Sequence, residues 1–245
     1  MTTKMLTICF ICIMKNKFIQ HIKLSGVLSL ILLASACSLF KGKITDSPEI
    51  ESMHPMLTVS QDSADDVYRN LLDTIMEDPA NGDYQALRMV HTQTSDYTPY
   101  SDNEHLEKIK NLLDAEQYSV ATEVIKSVYY KQFHVPMFHY YAFVAWKRSG
   151  NEDMATIHSL YYRKLIESIT ENGDGKTPET AWLITNVSEE YRVLEFLDME
   201  LQSQNLITKK GMHFDQMEVT DSTGSEKSVY FNIEIPFSML MQEKE

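Results

Sequence analysis

Between residues 104 and 170 the apolar positions recur at one offset. Shifted by 34 residues, Leu106, Ile109 and Leu112 fall on Tyr140, Phe143 and Trp146, and Ala121 falls on Ala155. Inside each copy the spacing is three or four, the period of a helix with one buried face. The pattern predicts four helices. Leu106, Ile109 and Leu112/Leu113 mark the first, and Ser119 caps the second, with Val120, Ala121, Val124, Ile125 and Val128 on one face. Pro136 opens the third, 136–149, and Gly150 closes it. Asn151 caps the fourth, which turns Ile157, Leu160/Tyr161, Leu165 and Ile169 inward. A face repeated at fixed offset buries itself only by stacking on its copy, which limits the folds open to the chain.

The flanks differ in character. Ser63-Ala-Asp-Asp66 reads as a helix start, Val67, Leu71 and Ile75 follow at spacing four, and Asp78-Pro79 is a stop. Asp83 before Tyr84, Leu87 and Val90 predicts a short second helix, and 91–103 a loop. Beyond Ile169 strands are expected at Thr180–Val187 and Leu201–Thr208, with a short helix Glu189–Leu197 capped by Ser188 between them. His213–Thr220 and Lys227–Ile235 read as a hairpin around Asp221–Ser225, since Val229, Phe231, Ile233 and Ile235 alternate with polar partners. The expected fold class is α+β, with helical hairpins at 63–172 and a small antiparallel sheet with one short helix at 173–245.

The 34-residue offset is that of tetratricopeptide repeats. WKRSGNEDMA, Trp146–Ala155, resembles their turn, with an aromatic residue, a glycine four later and an alanine five after that. The other copy has Glu116 in the glycine position, and two copies are fewer than the three or so a solenoid needs. An ordinary helical bundle with coincidental spacing stays open beside the repeat-like reading.

The N-terminal end reads as an address. Residues 1–36 hold Lys4, Lys15, Lys17 and Lys23, no acidic residue, and the apolar run Leu24–Leu33. Ten residues cannot span a bilayer, which takes about 20. Ala34-Ser35-Ala36 then precede Cys37, an arrangement similar to a bacterial lipoprotein signal, although Ala34 stands where leucine is preferred. That resemblance implies cleavage before Cys37, a lipid on its sulfur, and a tether over 37–62. Met14 can serve as an alternative start, because the segment before it adds nothing a signal needs. Cys9 and Cys12 fall in the removed part, which leaves no pair for a disulfide. Removing four of 22 basic residues and none of the 35 acidic ones gives 18 − 35 = −17, which argues against nucleic acid as partner.

GDGKTPETAW, Gly173–Trp182, imitates two ligand loops and satisfies neither. A phosphate loop needs a glycine where Thr170 stands, and a calcium loop needs a carboxylate where Ala181 stands. The expected role is a tight turn that delivers Trp182 to the core. No HExxH or GxSxG motif is present, so no catalytic residue, metal site or cofactor is assigned. Carboxylates are numerous enough that an acid pair without a motif stays open. Tyr97 and Tyr100, in a polar loop, are the candidate ligand or partner contacts.

The glycine turn, VSEEYRVLEFL, YFNIEIPF and DYQALRMVHTQTSDYTPY together resemble a family of secreted and lipid-anchored proteins of Bacteroides-type bacteria, known as a domain of unknown function, over roughly 65–240. The resemblance implies an envelope location and assigns no activity. The expected role is therefore a non-enzymatic interaction or scaffold module, anchored through Cys37 and bound to an envelope protein. A glycan or small-ligand module of an uptake system, or an enzyme with an unrecognised carboxylate site, is the alternative. Ser38–Lys43 carries no acidic residue, which favours the periplasmic face of the outer membrane.

Overall fold

The computed structural model describes residues 61–100 and 103–242, all within one compact unit. The expected signal, Cys37 and the expected tether up to residue 60 lie outside the described residues.

Seven helices come first: α1 (Gln61–Glu77), α2 (Tyr84–His91), α3 (Glu104–Asp114), α4 (Tyr118–Ser127), α5 (Tyr129–Gln132), α6 (Pro136–Arg148) and α7 (Glu152–Thr170). A 3₁₀ turn, Pro178–Thr180, leads to β1 (Trp182–Leu183), α8 (Ser188–Phe196), β2 (Glu200–Lys209), β3 (Met212–Thr220), β4 (Glu226–Asn232) and α9 (Glu234–Gln242). The class is α+β. The sheet order is β1-β4-β3-β2, and it is mixed: β2, β3 and β4 are antiparallel, while β1 lies parallel to β4.

The 34-residue offset is visible in the backbone. After α3, Gln117 N–H bonds Leu112 O and Glu116 N–H bonds Leu113 O; after α6, Asn151 N–H bonds Trp146 O and Gly150 N–H bonds Lys147 O. These are two copies of one helix-ending motif, with the left-handed residue at Glu116 (φ 58°) and Gly150 (φ 85°). Glu116 therefore takes the glycine's conformation without being glycine.

Three apolar clusters share one spine. Ala155 on α7 joins Ile109, Ile125, Phe138 and Trp146. One turn and a half later, Tyr161 and Leu165 join Tyr68, Leu72, Tyr84 and Phe133. Ile166 and Ile169 then meet Trp182, Val193, Met217 and Phe231. A single 19-residue helix thus ties both hairpins to the sheet.

Several expected boundaries move. Ser63, Ser119 and Ser188 cap nothing: α1 already includes Gln61, while α4 and α8 begin after Gln117 and Val187 without a side-chain cap bond. Asp83, Asn103 and Asn151 do accept capping bonds. The buried stripe of α1 is Ala64, Tyr68, Leu72 and Ile75, one step from Val67 and Leu71, because Tyr68 and Leu72 point into the α2–α7 cluster. Val120 faces solvent, its neighbours Ala121 and Ile125 having taken the buried side. The strand expected at 180–187 contracts to two residues, since Pro178 starts a 3₁₀ turn before it and α8 begins at Ser188. The last strand ends at Asn232, where its Oδ1 accepts from Glu234 N and α9 begins.

GDGKTPETAW is a latch around Trp182. The indole Nε1–H donates to Gly173 O at 3.0 Å, Gly175 N–H to Thr180 O at 2.9 Å, and Tyr230 N–H to Gly175 O at 2.8 Å. Gly175 sits at φ 66°, and a Cβ there would lie 2.7 Å from three indole atoms. Gly175→Ala combines left-handed strain with overpacking, so we expect a loss of about 2–4 kcal/mol. Urea unfolding measures it; an unchanged midpoint contradicts the latch.

Candidate functional site

Two adjacent glutamates open α8 and part company. Glu189 turns toward α2, where Arg88 grips it bidentately, Nε to Oε1 at 2.9 Å and Nη2 to Oε2 at 2.7 Å. Arg88 also donates to Ser168 O and Leu183 O, while Glu189 accepts from Thr185 N and Oγ1. Both partners are almost fully buried, with 2% of each residue exposed. This cluster joins α2, α7, β1 and α8. It spends its charges on each other.

Glu190 turns the other way, onto the sheet. On β3, Asp215, Met217 and Val219 alternate onto the core face, so Asp215 is an acid among apolar side chains. Glu190 and Asp215 meet at one side-chain amide, that of Gln204. Gln204 on the neighbouring strand β2 donates Nε2–H to Asp215 Oδ2 at 2.6 Å and to Glu190 Oε2 at 3.4 Å, and its Oε1 accepts from Tyr191 OH at 3.0 Å. Glu190 has no exposed surface, and its Oε1 is buried without a donor. Burial first, then the neighbouring Asp215, push its carboxyl up to about 9. Tyr191, bonded to Gln204 and 39% exposed, forms the solvent side.

Of the two tyrosines singled out from sequence, only Tyr100 is exposed. Tyr97 is buried and donates its hydroxyl to Thr185 O at 2.7 Å, completing the polar network around Glu189. It is a structural tie and not a surface contact. Cys37 lies outside the described residues.

Four histidines, His91, His134, His139 and His158, pack among aromatic rings. His91 and His134 stack with ring centres 3.4 Å apart, and His134 Nδ1 meets Tyr68 OH at 3.3 Å. His139 Nε2–H donates to Phe133 O, which leaves its Nδ1 to accept from His158 Nδ1–H at 3.0 Å. His158 Nε2 is then a buried acceptor without a partner. Burial holds all four well below the ordinary imidazole range, His91 and His158 at about 4.

Two surface depressions lie on the helical hairpins, one beside Glu104, Glu107 and Leu112, the other beside Phe143, Ala155 and Leu160. Both are open, and neither adjoins the carboxyl pair. Among the described residues no group of three or more His, Cys, Asp or Glu side chains is arranged to hold a metal.

Among the described residues the long edge strand of the sheet, β2, pairs on one side only. β2 is ten residues long and exposed except at Leu201 and Ile207, with Leu206 57% exposed. It turns into β3 through Lys210-Gly211, both at positive φ, and Lys209 faces Met212. In such a two-residue hairpin the flanking pair exchanges both hydrogen bonds, so Ile207 and Asn205 bond to β3. Gln204, Leu206 and Thr208 then turn N–H and C=O outward. Sheets usually guard such an edge with inward charges, proline or short length. Leu201–Thr208 has no charged residue and no proline, and its one device is a bulge at Gln202.

A family model described as a domain of unknown function, DUF4919, matches residues 57–242. The chain belongs to this family. No curated protein and no solved structure matches it. For this DUF4919 chain, the matched span covers every element from α1 to α9. No helix among its described residues is long and apolar enough to cross a membrane.

Sequence reading missed Arg88, Glu190, Gln204 and Asp215. One signal was present: the alternation over His213–Thr220 puts Asp215 on the face of Met217 and Val219. Nothing local marks Glu190, whose place in a first helical turn is where any acid is favoured.

Proposed function

We propose that this protein is a non-enzymatic interaction module that accepts an extended segment of a partner protein as a fifth strand beside β2. The observation that carries it is the uncharged, proline-free stretch Leu201–Thr208 on the outer edge of β2, with outward N–H and C=O groups at Gln204, Leu206 and Thr208. Main-chain hydrogen bonds of this kind give affinity, and the side chains beside them give selectivity. The hairpins expose only Val120 and Tyr130 among their large apolar side chains, which favours the sheet over a helical groove. The offset of 34 residues and the matched helix ends support reading α3–α4 and α6–α7 as tetratricopeptide-like hairpins, here a scaffold that α7 fuses to the sheet. With the lipid on Cys37, the module stands on the periplasmic face of the outer membrane of a Bacteroides-type cell, and its partner is an envelope protein.

Leu206→Lys tests the edge. The side chain is exposed, so folding stability should change by no more than about 0.5 kcal/mol. Retention of the envelope partner on the purified lipidated protein should fall at least tenfold. Equal retention by the variant contradicts docking on β2.

A further inference from the structure

We propose that Glu190, Asp215 and Gln204 form a binding site for a hard divalent cation, of which Ca²⁺ is the probe. This inference does not rest on docking at β2. Two carboxyl groups converge on the one amide of Gln204, and Arg88, the guanidinium on the other side of α8, is held by Glu189 through Nε and Nη2. A buried acid pair has two stable solutions, to share a proton or to hold a cation. Oε1 of Glu190 is the atom on which either solution must act. It belongs to a side chain with no exposed surface and receives no donor, an arrangement that costs free energy unless something positive occupies it.

Gln204 fits the same reading. The amide's N and O ends have the same shape, and which end faces the acids is assigned from hydrogen bonding. With the proton present, Nε2–H faces Asp215 and Oε1 takes the Tyr191 hydroxyl. A half-turn of the amide points Oε1 at the acids and lets Nε2–H donate to the Tyr191 oxygen. The three side chains then offer up to five oxygens, and water completes the shell through the exposed side by Gln204 and Tyr191. Calcium tolerates such an irregular set of mono- and bidentate oxygens, whereas magnesium demands near-octahedral geometry. Zinc and copper favour nitrogen and sulfur donors, which this site lacks.

The test is calorimetric titration of Ca²⁺ into the chelator-stripped full chain, with melting followed in parallel. One Ca²⁺ per chain is expected, with Kd on the order of 10⁻⁴–10⁻³ M, as in extracellular calcium modules. Glu190→Gln and Asp215→Asn keep the shape of the pair and should each weaken binding at least tenfold while the protein stays folded. Absence of both heat and a melting shift at about 10 mM Ca²⁺, well above that Kd range, overturns the site and leaves a proton-sharing pair. Binding that both variants retain unchanged also overturns it, because the cation then sits elsewhere on the acidic surface.

Discussion

Replacing Arg88 with alanine should destabilise the protein by about 3–5 kcal/mol, the range for breaking a buried ion pair by removing one partner. The cause lies less in the lost attraction than in what is left behind. Glu189 keeps a charge in a site with 3% side-chain exposure, supported only by Thr185 N and Oγ1. Ser168 O and Leu183 O lose their donor in the same step. Glu189→Gln in the Arg88→Ala background removes the stranded charge and should recover part of the loss. Chemical denaturation of the three proteins checks this. A double variant no more stable than Arg88→Ala alone would mean that packing, not charge, dominates at this junction.

The second large effect is a loss of stability toward acid. His91, His134, His139 and His158 are neutral in the folded protein because burial lowers them, His91 and His158 to about 4. The unfolded chain binds protons near the ordinary value of about 6.5, so below that pH it holds more protons than the folded state. Stability should therefore fall as pH drops from 6.5 to 4, by about 3 kcal/mol for each of His91 and His158. Glu190 works in the opposite direction. Its carboxyl is raised from 4.5 to about 9, so the folded state keeps a proton that the unfolded chain releases, and stability declines as pH rises through that window. Several histidines outweigh one glutamate below 6.5, which places the maximum near neutrality. Melting across pH 4–9 in the presence of chelator tests both limbs. Glu190→Gln should flatten the alkaline decline and leave the acid limb alone. A profile level from pH 4 to 6.5 would show that the histidines are not buried neutral groups.

Local periodicity located most elements, because three- and two-residue spacings report one buried face whatever lies against it. Asn151 and Gly150 mark their helix ends through chemistry that acts within a few residues. Glu116 hides the same ending, since its left-handed conformation follows from the hairpin and not from its own preference. Ser63, Ser119 and Ser188 resemble caps yet lie inside helices, where neighbouring packing sets the boundary. Tyr97 looked exposed because its neighbours are polar, and only the fold brings Thr185 O, 88 residues on, to its hydroxyl. Arg88 and Glu189 are separated by 101 residues, so no local pattern links them. The parallel pairing of β1 with β4 is equally non-local, joining Trp182 to Phe231.

The most direct measurement of the central claim is site-specific photo-crosslinking in cells from position 206 on β2, compared with positions 120 and 130 on the hairpins. Docking as a fifth strand predicts strong crosslinks from 206, mapping to one continuous extended segment of a single envelope protein, and little from 120 or 130. Crosslinks that arise only from the hairpin positions would contradict the β2 edge as the binding surface.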